Sequence, residues 1–186
     1  LAHTYGMTAS QIWVWPRKAD GAVTDRAGKG DAGSNNQQPR ITNEVAMTMI
    51  DLNTNGEDIM ALQRARKPIR LFYSKTSAIN NGKHMDNQFK MYEALHFEGT
   101  PLGFVTENII QKQDHNNWDV VLVYNPPNVT TDELNALQHY LDNGGTVIID
   151  DKSLLKNEYE KALQRLNTSK GNLIHLNSVS EIKDKA

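Results

Sequence analysis

From Lys67 onward the chain alternates short apolar runs with amphipathic stretches. Ile69 to Tyr73, Leu102 to Val105, Val120 to Tyr124, Thr146 to Ile149 and Leu173 to Leu176 each predict a strand. Val120 to Tyr124 is unbroken apolar sequence, as expected of a parallel strand covered on both faces. Helical spacing predicts a helix over Met85 to Phe97, with Phe89, Tyr92 and Leu95 facing inward and Gly99 just past its end. Asn108 to Lys112 reads as a short helix. Thr130 or Thr131 caps the next, with Leu134, Leu137 and Leu141 on its inner face and Gly144-Gly145 at its end. Leu154 to Leu166 predicts a further helix, and Val179 to Lys185 a last one.

Strands alternating with helices imply an open parallel sheet joined by crossovers. The expected fold class is therefore α/β: a flavodoxin-like three-layer αβα sandwich with a five-stranded parallel sheet. Ligands in such sheets bind beyond the carboxyl ends of the strands, at the switch point.

The sequence before Lys67 has a different texture. Ala9 to Trp15 reads as a strand stopped by Pro16. Ala19 to Gln38, rich in Gly, Ser, Asp and Asn, reads as a long loop. Ile41 to Leu52 predicts a helix capped by Thr42 or Asn43, with Val45, Met49 and Leu52 at helical spacing. Gly56 breaks it. Ile59, Leu62 and the basic turn Arg64-Ala65-Arg66-Lys67 predict a second short helix with cations at its negative end. Pro68 opens a new unit. Two domains are expected, residues 1–66 and 67–186. Leu1 replaces an initiator Met and no signal-peptide pattern follows, so the chain reads as a piece of a longer protein.

Composition removes several classes of function. The 20 basic and 22 acidic residues are well mixed and give a net charge of −2. Nucleic-acid binding needs a basic face and is not expected. No apolar run approaches the length of a membrane span. With no cysteine, the chain has no disulfide framework, thiolate nucleophile or zinc-thiolate site.

Candidate chemistry is sparse. Ser74-Lys75-Thr76-Ser77-Ala78, after the first strand, is a hydroxyl-rich loop that could cradle phosphate, but it lacks glycine and its helix starts late, near His84. Asp150-Asp151 ends the fourth strand and could hold magnesium or serve as a base. A helix-capping role is the plainer reading. Strand three runs into Tyr124-Asn125-Pro126-Pro127, with no Cys and no Gly-flanked elbow, so amidotransferase chemistry on this sheet is not expected. The six histidines, His3, His84, His96, His115, His139 and His175, form no ligand spacing. No metal and no cofactor is expected. Trp13 and Trp15 alternate, so both point to one face of their strand. With Arg17 they can stack on and hydrogen-bond a sugar, and a buried pair filling a core is the competing reading.

Two stretches together resemble a known family. Ala2-His3-Thr4-Tyr5-Gly6 through Trp15-Pro16-Arg17 resembles the last βα unit of a glycosidase TIM barrel, in the manner of the bacterial β-galactosidases of glycoside hydrolase family 42. The second stretch includes MYEALHFEGTPLGFVTE and ELNALQHYLDNGGTVIID. It resembles that family's class I glutamine amidotransferase-like trimerisation domain. The resemblance implies the C-terminal portion of a bacterial glycosidase. Its two catalytic glutamates would lie outside this chain, leaving no catalytic residue here, and Trp13, Trp15 and Arg17 would contact substrate. It implies a homo-oligomer, a trimer, that is cytoplasmic or periplasmic. The family tends to carry a Glu-x-x-His in the loop after the last barrel strand. This loop has no Glu between Trp15 and Asn43, so a marine or plant polysaccharide fits as well as a galactoside. The alternatives are a free-standing small-molecule binding module using Ser74, Thr76, Asn125 and Asp150, and a complete enzyme using Asp150 or Asp151.

Overall fold

A computed structural model describes residue 7 and residues 39–112, 118–168, 170–177 and 181. The expected strand over Ala9 to Trp15, the loop after it and the last helix fall outside these residues. The chain divides into two compact units, Leu1–Ala65 and Arg66–Ala186.

In the first unit, α1 spans Pro39–Thr54 and α2 spans Gly56–Arg64. Glu57 and Asp58 sit in the first turn of α2 and Arg64 in its last, each at the end its charge favours. No residue of α2 is buried. Met47, Met49, Ile50, Met60 and Leu62 are all exposed.

The second unit holds the predicted sheet. The strands are β1 (Ile69–Phe72), β2 (Leu102–Val105), β3 (Val120–Val123), β4 (Thr146–Asp150) and β5 (Asn172–Leu176). They pair in parallel in the order β2-β1-β3-β4-β5. The order reverses between β1 and β3, which places the switch point beside their carboxyl ends.

Alternation along the strands builds two cores. On one face Phe72, Val105, Val121, Val123, Val147 and Ile149 pack against Ile110 of α5 (Glu107–Lys112) and Leu137 and Leu141 of α6 (Thr131–Asp142). On the other, Ile69, Leu71, Leu102, Leu122 and Ile148 meet Met91 and Leu95 of α4 (His84–His96). Helix α6 is fixed by a capping box. The Glu133 amide donates to Thr130 Oγ1 at 3.1 Å, and the Thr130 amide donates back to Glu133 Oε2 at 2.6 Å.

Three expectations are corrected. First, Phe89 is not an inward residue of α4 and is 61% exposed. The stripe facing the sheet is His84, Gln88, Met91 and Leu95, whose 4-3-4 spacing follows one helix face, with polar residues on its first half. Second, the hydroxyl-rich loop is itself a short helix, α3 (Lys75–Asn80), with Ser74 as its N-cap. Third, Leu154 to Leu166 is not helical. Leu154 and Glu160 both have positive φ, 56° and 61°, which no α-helix permits. The apolar spacing suited a helix, but the amides of Leu154, Leu155 and Lys156 bond instead to the carbonyls of Pro126 and Pro127. The result is an irregular strap between β4 and β5.

At the outer edge, Gly103 leaves room for Arg70, whose guanidinium lies 5.2 Å from the centre of the Trp118 ring and donates to the Phe104 carbonyl at 3.3 Å. The side chain thus covers part of a sheet edge that would otherwise offer itself for pairing. The start of the sheet is tied by two bonds from the Arg66 guanidinium to the Asp119 carboxylate, at 2.5 and 2.8 Å. That exposed pair holds the Asp119 carboxyl below the usual carboxylate range.

Gly171 sits where a Cβ would lie 2.3 Å from the Gly145 carbonyl and 2.5 Å from that of Leu141. Both neighbours are backbone and cannot yield locally. Gly171→Ala is expected to destabilise the chain by about 1–3 kcal/mol, read as a lowered urea midpoint. An unchanged midpoint would contradict this packing.

Candidate functional site

The carboxyl ends of β1, β3 and β4 are where this architecture places its ligands. Here they are occupied by the protein itself. The segment Tyr124-Asn125-Pro126-Pro127-Asn128 leaves β3, and each of its five carbonyls accepts a hydrogen bond. Gln88 Nε2 donates to the Tyr124 carbonyl at 2.7 Å. His84 Nδ1 lies 3.0 Å from the Asn125 carbonyl and therefore carries the proton of that bond. The Leu154 amide donates to Pro126, and those of Leu155 and Lys156 to Pro127. Ser74 Oγ and Ser77 Oγ both donate to the Asn128 carbonyl.

The N–H groups of the two asparagines are also used. The Asn125 amide donates to Asp150 Oδ1 at 3.0 Å, and the Asn128 amide to Ser77 Oγ at 3.2 Å. Ser153 Oγ donates to the same Asp150 oxygen. The Asn128 side chain donates to Glu160 Oε1 at 2.8 Å and to the Asn157 carbonyl at 3.3 Å. Asn125 itself has φ 54°, a left-handed conformation that asparagine tolerates better than most residues.

This arrangement decides the fate of the predicted residues. Ser74 is fully buried, caps α3 and bonds Asn128, so it offers nothing to a phosphate. Asn125 and one oxygen of Asp150 are committed to each other. Asp150 is not a helix cap, because no helix follows β4. It holds the backbone of the strand next door. Asp151 is exposed. The described residues contain no cluster of three or more His, Asp or Glu able to hold a metal. Trp13, Trp15 and Arg17 lie outside the described residues.

Sequence reading missed Gln88 and Asn128, and named Ser77 and His84 without their role here; all four are buried and polar. The one available signal was the spacing of His84 and Gln88 ahead of Met91 and Leu95. Both side chains keep a buried acceptor, His84 Nε2 and Gln88 Oε1, with no partner among the described residues. Burial pushes the Tyr124 phenol above its ordinary value, and the nearby Asp150 carboxylate pushes it further.

No family model matches the chain. No curated protein matches it either. Among solved structures, an exo-carrageenase GH42 from Bacteroides ovatus matches all of this chain at 43% identity with a TM-score of 0.81. The chain is GH42-like. It spans a quarter of the length of that carrageenase. A β-galactosidase from Bacillus circulans sp. alkalophilus matches 69% of the chain and 20% of its own, at 18% identity and a TM-score of 0.48. No described helix is long and apolar enough to cross a membrane.

Two outcomes test the site. Asp150→Ala strands the buried Asn125 amide and is expected to cost about 1–3 kcal/mol in urea denaturation. Asp150→Asn, which keeps the acceptor, costs less. Separately, the raised Tyr124 pKa means that above pH 10 the folded chain holds more protons than the unfolded one. Stability is therefore expected to fall as pH rises through 10, and Tyr124→Phe to flatten that fall. Equal slopes would contradict the cause given.

Proposed function

We propose that this chain is the C-terminal portion of a glycoside hydrolase acting on a galactose-based polysaccharide or β-galactoside. Residues 1–66 are read as the end of its TIM barrel and residues 67–186 as a non-catalytic αβα domain. The observation that carries this reading is the full-length match, at 43% identity, to an exo-carrageenase GH42. The committed switch point adds weight, since Ser74, Ser77, Asn125 and Asn128 are all bonded within the chain there. The catalytic carboxylates are assigned to the remainder of the enzyme. Trp13, Trp15 and Arg17 are assigned to sugar contact at the active-site mouth. The apolar side chains exposed on α1 and α2 are read as surface that other parts of the barrel cover.

The αβα domain is assigned to assembly with further copies, as a trimer. Phe89, Phe97 and Phe104 are all exposed around Tyr92 and His96. Tyr92 stacks on both Phe104 and His96, with ring centres 5.7 and 5.8 Å apart. An aromatic patch beside an edge strand has the composition of an interface core.

Hydrolysis is tested on the longer gene product, assayed against carrageenan oligosaccharides and β-galactosides. Turnover of neither overturns the substrate class. For assembly, Phe97→Ser with Phe104→Lys is expected to shift the chain from trimer to monomer in sedimentation. Folding stability should change little, since both positions are exposed. A wild-type monomer, or a trimer indifferent to both changes, overturns the assembly role.

A further inference from the structure

The strap that replaces the expected helix covers a cavity of about 440 Å³ beyond the carboxyl ends of β4 and β5. We propose that this cavity binds a small, neutral, polyhydroxylated molecule of monosaccharide size. It lies apart from the committed crevice between β1 and β3. Its volume falls in the usual range for ligand sites, and its composition is that of one, an apolar floor with a few placed polar groups.

Ile149, Leu154, Leu163, Leu166 and Leu173 form the floor. Asp150, Asp151, Arg165 and His175 supply the polar wall. Asp150 is the decisive group. Its side chain is held in place because Oδ1 accepts from the Asn125 amide and the Ser153 hydroxyl. The residue is only 9% exposed, yet Oδ2 receives no bond from any described residue. That second oxygen is therefore left over to accept from a ligand hydroxyl at the cavity wall. The exposed groups Asp151 and Arg165 likewise have no hydrogen bond or ion pair among the described residues.

Backbone geometry points to the same place. Leu154 lines the cavity at φ 56°, and Glu160 turns the strap at φ 61°. Such conformations persist in non-glycine residues only where the surroundings over-determine them, and they cluster at functional sites. The surroundings here are the bonds from the strap to Pro126 and Pro127 and the Asn157 side chain, which accepts from the amides of Tyr159 and Lys161.

The ligand class follows from the wall. A carboxylate can only accept and a guanidinium only donate, so a ligand meeting both must do each. Hydroxyl groups do. An anion would meet Asp150 and Asp151, and a simple cation would meet Arg165. The apolar floor suits the C–H face of a sugar ring. This assignment rests on the cavity and is independent of the glycosidase reading.

The test is an amide NMR titration of the full chain with galactose and glucose, and with glycine and inorganic phosphate as a zwitterion and an anion. Saturable shifts with a sugar at residues 150–155, 163–166 and 173–175 are expected. Arg165→Ala and Asp151→Asn, both at exposed positions, should each raise Kd about tenfold. Leu163→Trp should fill the cavity and remove the shifts. No saturable shift with either sugar overturns the proposal. So do sugar shifts that both exposed variants leave intact. Saturation by glycine or phosphate alone overturns the ligand class.

Discussion

Five consecutive carbonyls, those of residues 124–128, must all find donors at the end of β3, and the fold around them is arranged to supply those donors. The two prolines contribute no N–H, so the segment is mostly an acceptor. A buried carbonyl left unpaired is expensive, and this segment would present several at once. Donors come from three separate pieces of chain: His84 and Gln88 on α4, Ser74 and Ser77 at α3, and the strap amides of Leu154, Leu155 and Lys156. This demand explains the polar half of the inner stripe of α4. It also explains why apolar sequence with helical spacing after β4 becomes an irregular strap.

The same demand bears on function. Where this architecture usually opens a crevice for ligands, the chain has spent its polar groups on itself. Ser74, Ser77, Asn125 and Asn128 hold one another across the switch point, and Asp150 holds Asn125 from the neighbouring strand. That arrangement supports the structural role proposed above for the αβα unit. The strap has a consequence of its own, because its residues line the cavity at the ends of β4 and β5.

The legible and illegible parts of the fold divide on physical lines. The strands could be read because they are short and bounded by turn residues, and in β3 and β4 burial on both faces leaves a continuous apolar run in the local sequence. Helix α6 could be read because Thr130 and Glu133 cap it locally. Phe89 misled because hydrophobicity alone cannot say which of two adjacent helix faces meets the sheet. Here His84 and Gln88 won the inner face through bonds to carbonyls 41 and 36 residues away in sequence. Leu154 to Leu166 misled for the same reason, since its competing partners are Pro126 and Pro127. Non-local hydrogen bonding overrode hydrophobic periodicity in both places, and the 4-3-4 spacing of His84, Gln88, Met91 and Leu95 was its one local trace.

The most direct measurement is native-state hydrogen exchange at the amides of Asn125 and Asn128. If the segment after β3 is the tie that joins α3, α4, β4 and the strap, both amides exchange only on global unfolding, with the same dependence on denaturant as Val121 in the centre of β3. Exchange at Asn125 and Asn128 through a local opening, while Val121 stays protected, would show that the crevice opens in the folded chain and would contradict the account.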